Sequence, residues 1–168
     1  MEPGRETEIL QSFKAKFGVE GEVQRARRVW VSIGKGQLLE ASRWAREQGL
    51  EHLSSISVTD WVEDGSYELS YHLWSPRDKV VVTLRIRINR DDPSIASVMP
   101  VWDGSAWIHE RELHELFGVK FEGNHDLAPL FLEDWEGPPP FRKDFDWRQY
   151  NREKYYKPDN EREHVYYE

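Results

Sequence analysis

The sequence predicts an α+β domain: a small, mostly antiparallel sheet with helices on one face, in the order β-α-β-β-β-α, followed by an extended irregular C-terminal arm. Residues 80–89 alternate apolar and polar side chains, which is typical of a strand with one buried face. Two further predicted strands flank the turn Asp64-Gly65, the second of them alternating, and segments with helical spacing lie on either side of this region. We place the α+β domain, with its N-terminal helix, at residues 1–118 and a docking arm rich in proline and aromatic residues at 119–168.

The first third of the chain predicts a helix, a strand and a second helix. Residues 5–17 carry apolar side chains at helical spacing and end at a glycine. These apolar residues are Ile9, Leu10, Phe13 and Phe17, and the glycine is Gly18. Residues 28–33 alternate in the manner of a strand. Residues 37–48 carry an apolar stripe at helical spacing, and Gly49 is placed to end that helix.

The middle of the chain predicts consecutive antiparallel strands. Residues 52–61 and 66–74 are the two strands joined by Asp64-Gly65. A second turn at 76–78 leads into the strand at 80–89. The side chains on the apolar face of that strand are Val80, Val82, Leu84, Ile86 and Ile88.

The pattern changes at Gly118. Apolar spacing predicts a helix at 104–117, and few regular signals follow it. Prolines oppose both helix and central strand at positions 129, 138, 139 and 140. The 28 residues from Phe141 onward contain eight aromatic residues among seven basic and seven acidic ones, which is too aromatic for an ordinary disordered tail. We therefore expect an arm that needs a surface to lie on.

Composition excludes several classes of function. The net charge of −8 argues against nucleic-acid binding, which needs Lys and Arg to neutralise phosphates. The absence of cysteine excludes thiolate zinc sites, a cysteine nucleophile and a cysteine-ligated iron–sulfur cluster in this chain. No apolar run approaches the roughly 20 residues of a membrane span, and no signal-peptide pattern is present. We expect a soluble intracellular chain that meets a membrane only through a partner.

The helix predicted at 104–117 places a carboxylate beside its apolar stripe. The stripe consists of Ala106, Leu113, Phe117 and, at its edge, Leu116. Glu110 lies beside Phe117, and a carboxylate on an apolar face is unfavourable unless it is paired. We expect a cation from Arg142, from Lys143 or from a partner to meet it. The same charged residues also fit a solvated helix face with local ion pairs.

A metal site is a more specific alternative interpretation of these charged residues. His109 and His114 are five residues apart, so they diverge around a helix, whereas zincins need two His four apart. Glu110 and His114 share a face, and His125 and Asp126 are further candidate ligands. A stand-alone metal-dependent hydrolase using these last four residues is therefore the alternative function.

A series of short motifs follows in order from residue 110. These are Glu110-Arg111-Glu112, Leu116-Phe117-Gly118, Phe121-Glu122-Gly123, His125-Asp126-Leu127, Leu130-Phe131-Leu132, Trp135-Glu136-Gly137 and Arg142-Lys143-Asp144-Phe145. With them, residues 101–145 resemble the 30 kDa subunit family of respiratory complex I, whose relatives include subunits of membrane-bound NiFe hydrogenases. That family has a Glu-Arg-Glu helix start, a hydrophobic-aromatic-Gly helix end, Phe-x-Gly, Gly-His-Pro-Asp-Leu, a Leu-rich strand, Trp-x-Gly and Arg-Lys-Asp before an aromatic residue.

The chain departs from the family pattern at three places. Asn124-His125 replaces His-Pro, so the histidine is displaced by one position and the stiffening proline is absent. Glu115 stands where the family commonly has Asp, and the segment between Gly137 and Arg142 is one residue longer. These departures fit a distant branch, such as the hydrogenase-type complexes, better than a mitochondrial-type subunit.

The resemblance implies a cofactor-free accessory subunit in the peripheral arm of a membrane-bound oxidoreductase, of the NADH:quinone oxidoreductase or energy-converting NiFe hydrogenase type. It would dock on the cytoplasmic side against the large hydrogenase-like catalytic subunit and the adjacent iron–sulfur small subunit, with iron–sulfur clusters or NiFe only in those partners. Carried over from the family, the partner-docking residues are Glu110, Arg111, Glu112, Gly118, Gly123, Asp126, Trp135, Gly137, Arg142 and Lys143. The resemblance implies no catalytic, cofactor-binding or metal residue in this chain.

Overall fold

A computed structural model describes residues 4–155, so the last part of the predicted arm lies outside the described residues. In chain order the elements are α1 (Arg5–Phe17), β1 (Glu20–Arg25), β2 (Arg28–Ser32), a 3-10 helix (Lys35–Gln37), α2 (Leu38–Glu47), β3 (His52–Trp61), β4 (Ser66–Ser75), β5 (Val80–Asn89), β6 (Ser94–Ala96), α3 (Met99–Phe117), β7 (Lys120–Glu122) and α4 (Trp147–Lys154).

The main sheet has five strands in the order β1-β2-β5-β4-β3. All neighbouring strands are antiparallel except β2 and β5, which are parallel. Strands β4 and β5 place apolar residues opposite one another, so that Leu69 faces Ile86 and Tyr71 faces Leu84. These four side chains are essentially inaccessible to solvent. The alternation at 80–89 therefore predicted both the strand and its buried face correctly.

The helices lie on the apolar face of this sheet. Helix α1 packs against β1 and β2, and α3 packs along β3. Phe13 of α1 is fully buried and meets the Trp44 ring of α2 edge to face at 4.8 Å between ring centroids. The opposite face is polar, with Arg85 stacked over Trp30 at its centre. The predicted α+β class, with helices on one face of a mostly antiparallel sheet, is confirmed.

The end of α2 follows the predicted pattern. Gly49 has φ 92°, its N–H donates to the Arg46 carbonyl, and the Leu50 N–H donates to the Ala45 carbonyl. These paired bonds form a Schellman motif, which satisfies carbonyls that the helix end leaves free. Leu50 is buried, so this motif also directs the chain into the core.

Four features differ from the sequence-based expectation. Strand β1 was not predicted, because it is an edge strand whose residues are nearly all exposed and carry no apolar alternation. The short strands β6 and β7 form a separate parallel pair. Helix α3 begins at Met99 rather than at 104, with a non-helical residue at Asp103. Helix α4 interrupts the arm that was expected to be irregular. The division of the chain at residue 118 stays a prediction.

Candidate partner-docking site

Glu110 is the most deeply buried of the candidate site residues, with 0% of its surface exposed. It accepts hydrogen bonds from the Ser97 hydroxyl at 2.7 Å, the Val98 N–H at 2.7 Å and the Asn124 side-chain amide at 2.9 Å. Burial raises the pKa of this carboxyl, and the three donors oppose that rise. Glu110 thereby joins the start of its own helix to the loop that follows β7.

The expectation that a cation meets Glu110 is wrong for this chain. All three hydrogen-bond donors to its carboxylate are neutral groups, while Arg142 pairs instead with Asp144 at 3.2 Å. The Lys143 N–H donates to Asp60 at 3.0 Å. Three well-placed neutral donors can satisfy a buried carboxylate, and this solution is not visible in residue spacing alone.

Arg111 ties the segment after β7 to helix α3. Its guanidinium donates to the carbonyls of Ala128 at 3.0 Å and Pro129 at 2.8 Å, and it stacks on the Trp107 ring at 4.6 Å. The Trp107 ring N–H in turn donates to Asp126 at 2.9 Å. A planar guanidinium with several fixed donors is well suited to hold two successive carbonyls.

Glu115 holds the next part of the same segment, although it was not among the predicted docking residues. Its carboxylate accepts the backbone N–H groups of Leu130 at 3.2 Å, Phe131 at 3.0 Å and Leu132 at 2.8 Å. Glu112, one helix turn earlier, approaches His109 at 3.9 Å. Glu115 therefore fixes three consecutive backbone groups, whereas Glu112 fixes none of them.

An ion-pair cluster fastens the distal part of the segment to the sheet. Arg90 donates to Asp60 at 2.7 and 3.0 Å and to Asp144 at 2.7 and 3.0 Å. Hydrogen bonds from Arg90 and Arg142 hold the pKa of Asp144 well below its usual range. Burial alone would raise the pKa of Asp60, but hydrogen bonds from Arg90 and the Lys143 N–H outweigh burial and lower it. Both aspartates are therefore ionised in the folded protein near neutral pH.

This cluster was not predicted from the sequence. Asp60 occupies a position of β3 that faces Tyr67, on the buried side of the sheet, and only 3% of its surface is exposed. The sequence did contain a signal for this cluster. Asp60 is a carboxylate at an inward-facing position of a predicted strand, and such a group needs a hydrogen-bonding or charged partner. Arg90 directly follows strand β5 in the chain, and its guanidinium supplies that partner.

Two glycines allow the segment to approach closely. Gly118 ends α3 with φ 79°, and a Cβ there would lie 3.0 Å from the Pro139 ring. At Gly137 a Cβ would come within 2.6 Å of the Trp135 ring and 2.9 Å of the Tyr150 ring. Trp135 packs against Phe145 and Tyr150, and its ring N–H donates to the Pro138 carbonyl at 3.0 Å. Gly123, with φ 93°, lies in the turn after β7.

The candidate metal ligands do not converge. His114 donates its Nδ1–H to the Val119 carbonyl at 2.8 Å, Asp126 accepts from Trp107, and Glu110 is enclosed by its three donors. Within residues 4–155, no three His, Asp or Glu side chains lie close enough together to hold a metal ion. The alternative of a metal-dependent hydrolase therefore has no site among the residues that the structure describes.

Residues 124–155 form the C-terminal segment, which covers α3 and the β3–β5 side of the sheet. The predicted docking residues lie along this segment, the turn that precedes it and the part of α3 beneath it. A model of the family described as the 30 kDa subunit of respiratory-chain NADH dehydrogenase matches residues 31–151. The chain belongs to this family. The matched range includes strands β3, β4 and β5 and nearly all of the C-terminal segment.

Two relatives align with most of this chain. A subunit of the F(420)H(2) dehydrogenase from Methanosarcina mazei is 32% identical over 143 residues, covering 82% of this chain and 90% of the relative. A subunit of the NADH-quinone oxidoreductase from Rhizobium meliloti is 35% identical over 120 residues, covering 68% of this chain and 64% of the relative.

A solved structure shares this fold. A chain from the membrane-bound sulfane sulfur reductase, an archaeal respiratory membrane complex, superposes with a TM-score of 0.82 at 30% identity, covering 92% of this chain and 93% of that one. The relatives are therefore subunits of complex I-related membrane complexes. No helix within residues 4–155 has the length and apolar character needed to cross a bilayer.

Proposed function

We propose that this chain is a cofactor-free accessory subunit of a membrane-bound oxidoreductase complex related to complex I. It docks on the large, hydrogenase-like catalytic subunit beside the iron–sulfur small subunit, as a peripheral subunit on the cytoplasmic side of the membrane, and it stabilises that neighbour. The parent complex is either of the NADH:quinone oxidoreductase type or of the energy-converting NiFe hydrogenase type. Its electron donor and acceptor sites would lie in other subunits.

One observation carries this proposal. The relative from an archaeal respiratory membrane complex aligns with 92% of this chain, a share that must include most of the C-terminal segment. A shared fold alone would not imply a shared role, because one fold hosts many functions. Here the similarity extends over matching lengths and beyond the sheet into the segment, which supports a shared place in an assembly.

The described surface also suits docking. Burying exposed apolar surface against a partner is favourable. The large exposed apolar side chains of the C-terminal segment are Phe131, Phe141, Trp147 and Tyr155. Aromatic side chains are enriched at the centres of protein interfaces. The polar contacts to α3 and the sheet already hold this segment in place, so binding a partner would require little further ordering.

The contribution to catalysis would be positional. Displacing reacting groups by about 1 Å can lower an enzymatic rate by about 100-fold. A rigid subunit packed against a catalytic neighbour restricts such displacements without contributing a reacting group. The parent complex should therefore lose activity per assembled particle, or lose assembly itself, when this chain is removed.

Purification of the tagged full-length chain from native membranes in mild detergent tests the proposal. We expect the large and the iron–sulfur subunits to co-purify in near-equal amounts with the chain, identified by mass spectrometry. Recovery of the chain without any oxidoreductase subunit would overturn the proposed function. Stoichiometric zinc, manganese or iron in the separately purified chain would contradict its cofactor-free assignment.

The basic pair of the segment offers a second test. We expect Arg142→Ala combined with Lys143→Ala to lower the amount of assembled complex in membranes while the isolated chain stays folded. The Lys143 ammonium is exposed and makes no ion pair within residues 4–155, so Lys143→Gln alone separates docking from internal contacts. The control is Lys79→Gln, which removes the same charge from an exposed turn between β4 and β5. Equal assembly in all variants would remove the basic pair from the docking surface.

A further inference from the structure

Phe131 is the most exposed large apolar side chain in the described part of the protein. It is 64% exposed and lies between Leu130 and Leu132, which are both partly buried. An exposed single apolar residue is ordinary on a protein surface. Phe131 is unusual because of how firmly its backbone is held.

The Glu115 carboxylate fixes the backbone around Phe131. It accepts the N–H groups of Leu130, Phe131 and Leu132 at 3.2, 3.0 and 2.8 Å. The next residues form a tight turn, closed by the Trp135 N–H donating to the Leu132 carbonyl at 3.3 Å, with Asp134 at φ 59°. Because the backbone is fixed, Phe131 loses less conformational freedom on binding than a side chain on a mobile loop.

A groove is lined by residues on both sides of Phe131 in the chain, although Phe131 itself does not line it. It has a volume of about 290 Å³, is open to solvent, and is formed between α3 and the C-terminal segment. Its walls include Leu127, Pro129, Leu132, Trp135 and Pro139. Pro129 and Leu132 bracket Phe131 in the sequence, so a projecting ring and an apolar recess occur side by side.

The exposed charges that follow Phe131 in the chain are acidic, while Arg111 contacts the Pro129 carbonyl on one side and Lys154 pairs with Glu136 on the other. Residues 121–141 contain five carboxylates and neither Lys nor Arg. Glu133 and Asp134 occupy the exposed tip of the turn and make no ion pair within residues 4–155. A complementary surface would therefore place basic groups around an apolar centre.

We propose that Phe131 and the adjacent groove form the central contact of the docking surface, and that the partner subunit offers an apolar pocket for the Phe131 ring bordered by Lys or Arg side chains. An apolar side chain of the same partner fills the groove. Glu115 is the positioning residue that presents this contact. The proposal rests on the proposed function and adds to it the residues and the partner chemistry.

A competition for incorporation tests this contact in the assembled complex. Tagged full-length Phe131→Ala is produced together with untagged wild-type chain, and the tagged-to-untagged ratio in the purified complex is compared with the ratio in the whole cell. We expect Phe131→Ala to be incorporated about 30-fold less well than tagged wild type, as for a central interface aromatic. Phe131→Leu, which keeps most of the apolar volume, should be incorporated better than Phe131→Ala.

The matched control is Trp61→Ala. Trp61 is 40% exposed but lies on the solvated face of the sheet, over Arg87. We expect its incorporation to equal that of tagged wild type. Circular dichroism melts of each variant chain confirm that folding is retained, since Phe131 contributes little to the core.

The charge of the partner pocket is tested by reversal. Glu133→Lys with Asp134→Lys should lower incorporation in the same competition, because it places like charges opposite the basic border of the pocket. Glu20→Lys with Glu22→Lys makes the same change in net charge on β1, at the far edge of the sheet, and should leave incorporation unchanged. Equal effects of the two double variants would show that only net charge matters and would overturn the basic-rimmed pocket.

The outcomes separate this inference from the proposed function. A wild-type chain that co-purifies with the oxidoreductase subunits, together with normal incorporation of Phe131→Ala, overturns the Phe131 contact and leaves the proposed function standing. A wild-type chain absent from any such complex overturns the proposed function itself. A Phe131-dependent dimer of the isolated chain in sedimentation experiments would identify a second copy as the occupant and would overturn the heterologous pocket.

Discussion

The sheet and the C-terminal segment are held by different kinds of contact. The sheet buries aliphatic residues in register, as at Leu84 of β5, and its stability comes from apolar area removed from water. The C-terminal segment is tied down largely by polar side chains that reach its backbone, such as Arg111 to two carbonyls and Glu115 to three N–H groups. One region is specified by residue pattern and the other by individual polar side chains.

This difference has a consequence for assembly. A segment attached through polar contacts leaves aromatic side chains such as Phe131 and Trp147 exposed. The small aromatic cluster of Trp135, Phe145 and Tyr150 gives the segment some packing of its own. Measurements that separate global unfolding from release of the segment therefore test whether the two regions are energetically distinct.

The largest effect is expected at the contact between the two regions. Arg90→Leu leaves Asp60 buried and without its cation, and breaking such a pair costs about 3–5 kcal/mol of unfolding free energy. The change also removes one of the two arginines that pair with Asp144 on the segment. Urea unfolding at pH 7 measures the loss. The control Arg87→Leu removes an Arg that is 49% exposed and should cost far less, because solvent screens exposed ion pairs.

A core substitution should destabilise both regions together. Leu84→Ala removes a fully buried side chain from the central strand and should cost about 3 kcal/mol in unfolding free energy. The segment should remain docked until the whole domain unfolds, giving one transition by tryptophan fluorescence and by circular dichroism. Val81→Ala, on the other face of the same strand, is the milder control. Loss of the segment signal before the sheet unfolds in Leu84→Ala would contradict the expected single transition.

The sequence predicted the sheet far better than the contacts of the segment. Alternation placed β3, β4 and β5 within a residue of their observed ends, because a half-buried strand must alternate. Glu110 was correctly expected to be buried, but its neutral donors come from Ser97, Val98 and Asn124, which no periodicity links to it. Contacts between a side chain and a distant backbone leave no pattern, since any residue can supply the N–H or carbonyl.

Acidification should change the contribution of Glu110 to stability in one direction and the contributions of Asp60 and Asp144 in the other. Burial raises the pKa of Glu110 above its ordinary 4.5, so stability is highest with Glu110 protonated and is lost as the pH rises through the folded-state pKa. Asp60 and Asp144 have pKa values below their ordinary 3.8, so their stabilisation is present above about that pH and is lost as the pH falls further.

Glu110→Gln isolates the first of these effects. The variant places an amide N–H₂ against the donors of Ser97, Val98 and Asn124. Its unfolding free energy should therefore be about 1–2 kcal/mol lower than that of wild type near pH 4.5. The difference in unfolding free energy between wild type and variant should shrink from pH 4.5 to pH 7, because only the wild type bears the burial of a charge. Urea unfolding of both proteins across this range measures the difference. A difference that grows with pH would mean that the ionised carboxylate is the favoured folded form.

The smallest global effect, and the most local one, is expected at Glu115. Glu115→Gln removes the charge from an acceptor of three N–H groups, and hydrogen bonds to charged groups contribute about 1.5–3 kcal/mol each. The amides of Leu130, Phe131 and Leu132 should exchange with solvent about fivefold faster in NMR hydrogen exchange, while β5 amides that exchange through local openings should change less. The same loss of stabilisation should lower the global unfolding free energy by about 1 kcal/mol. Glu112→Gln, on the same helix but bonded to none of these amides, should leave all three rates unchanged. An equal increase for the locally opening β5 amides would mean that the segment and the sheet open as one unit, and the distinction between the two regions would fail.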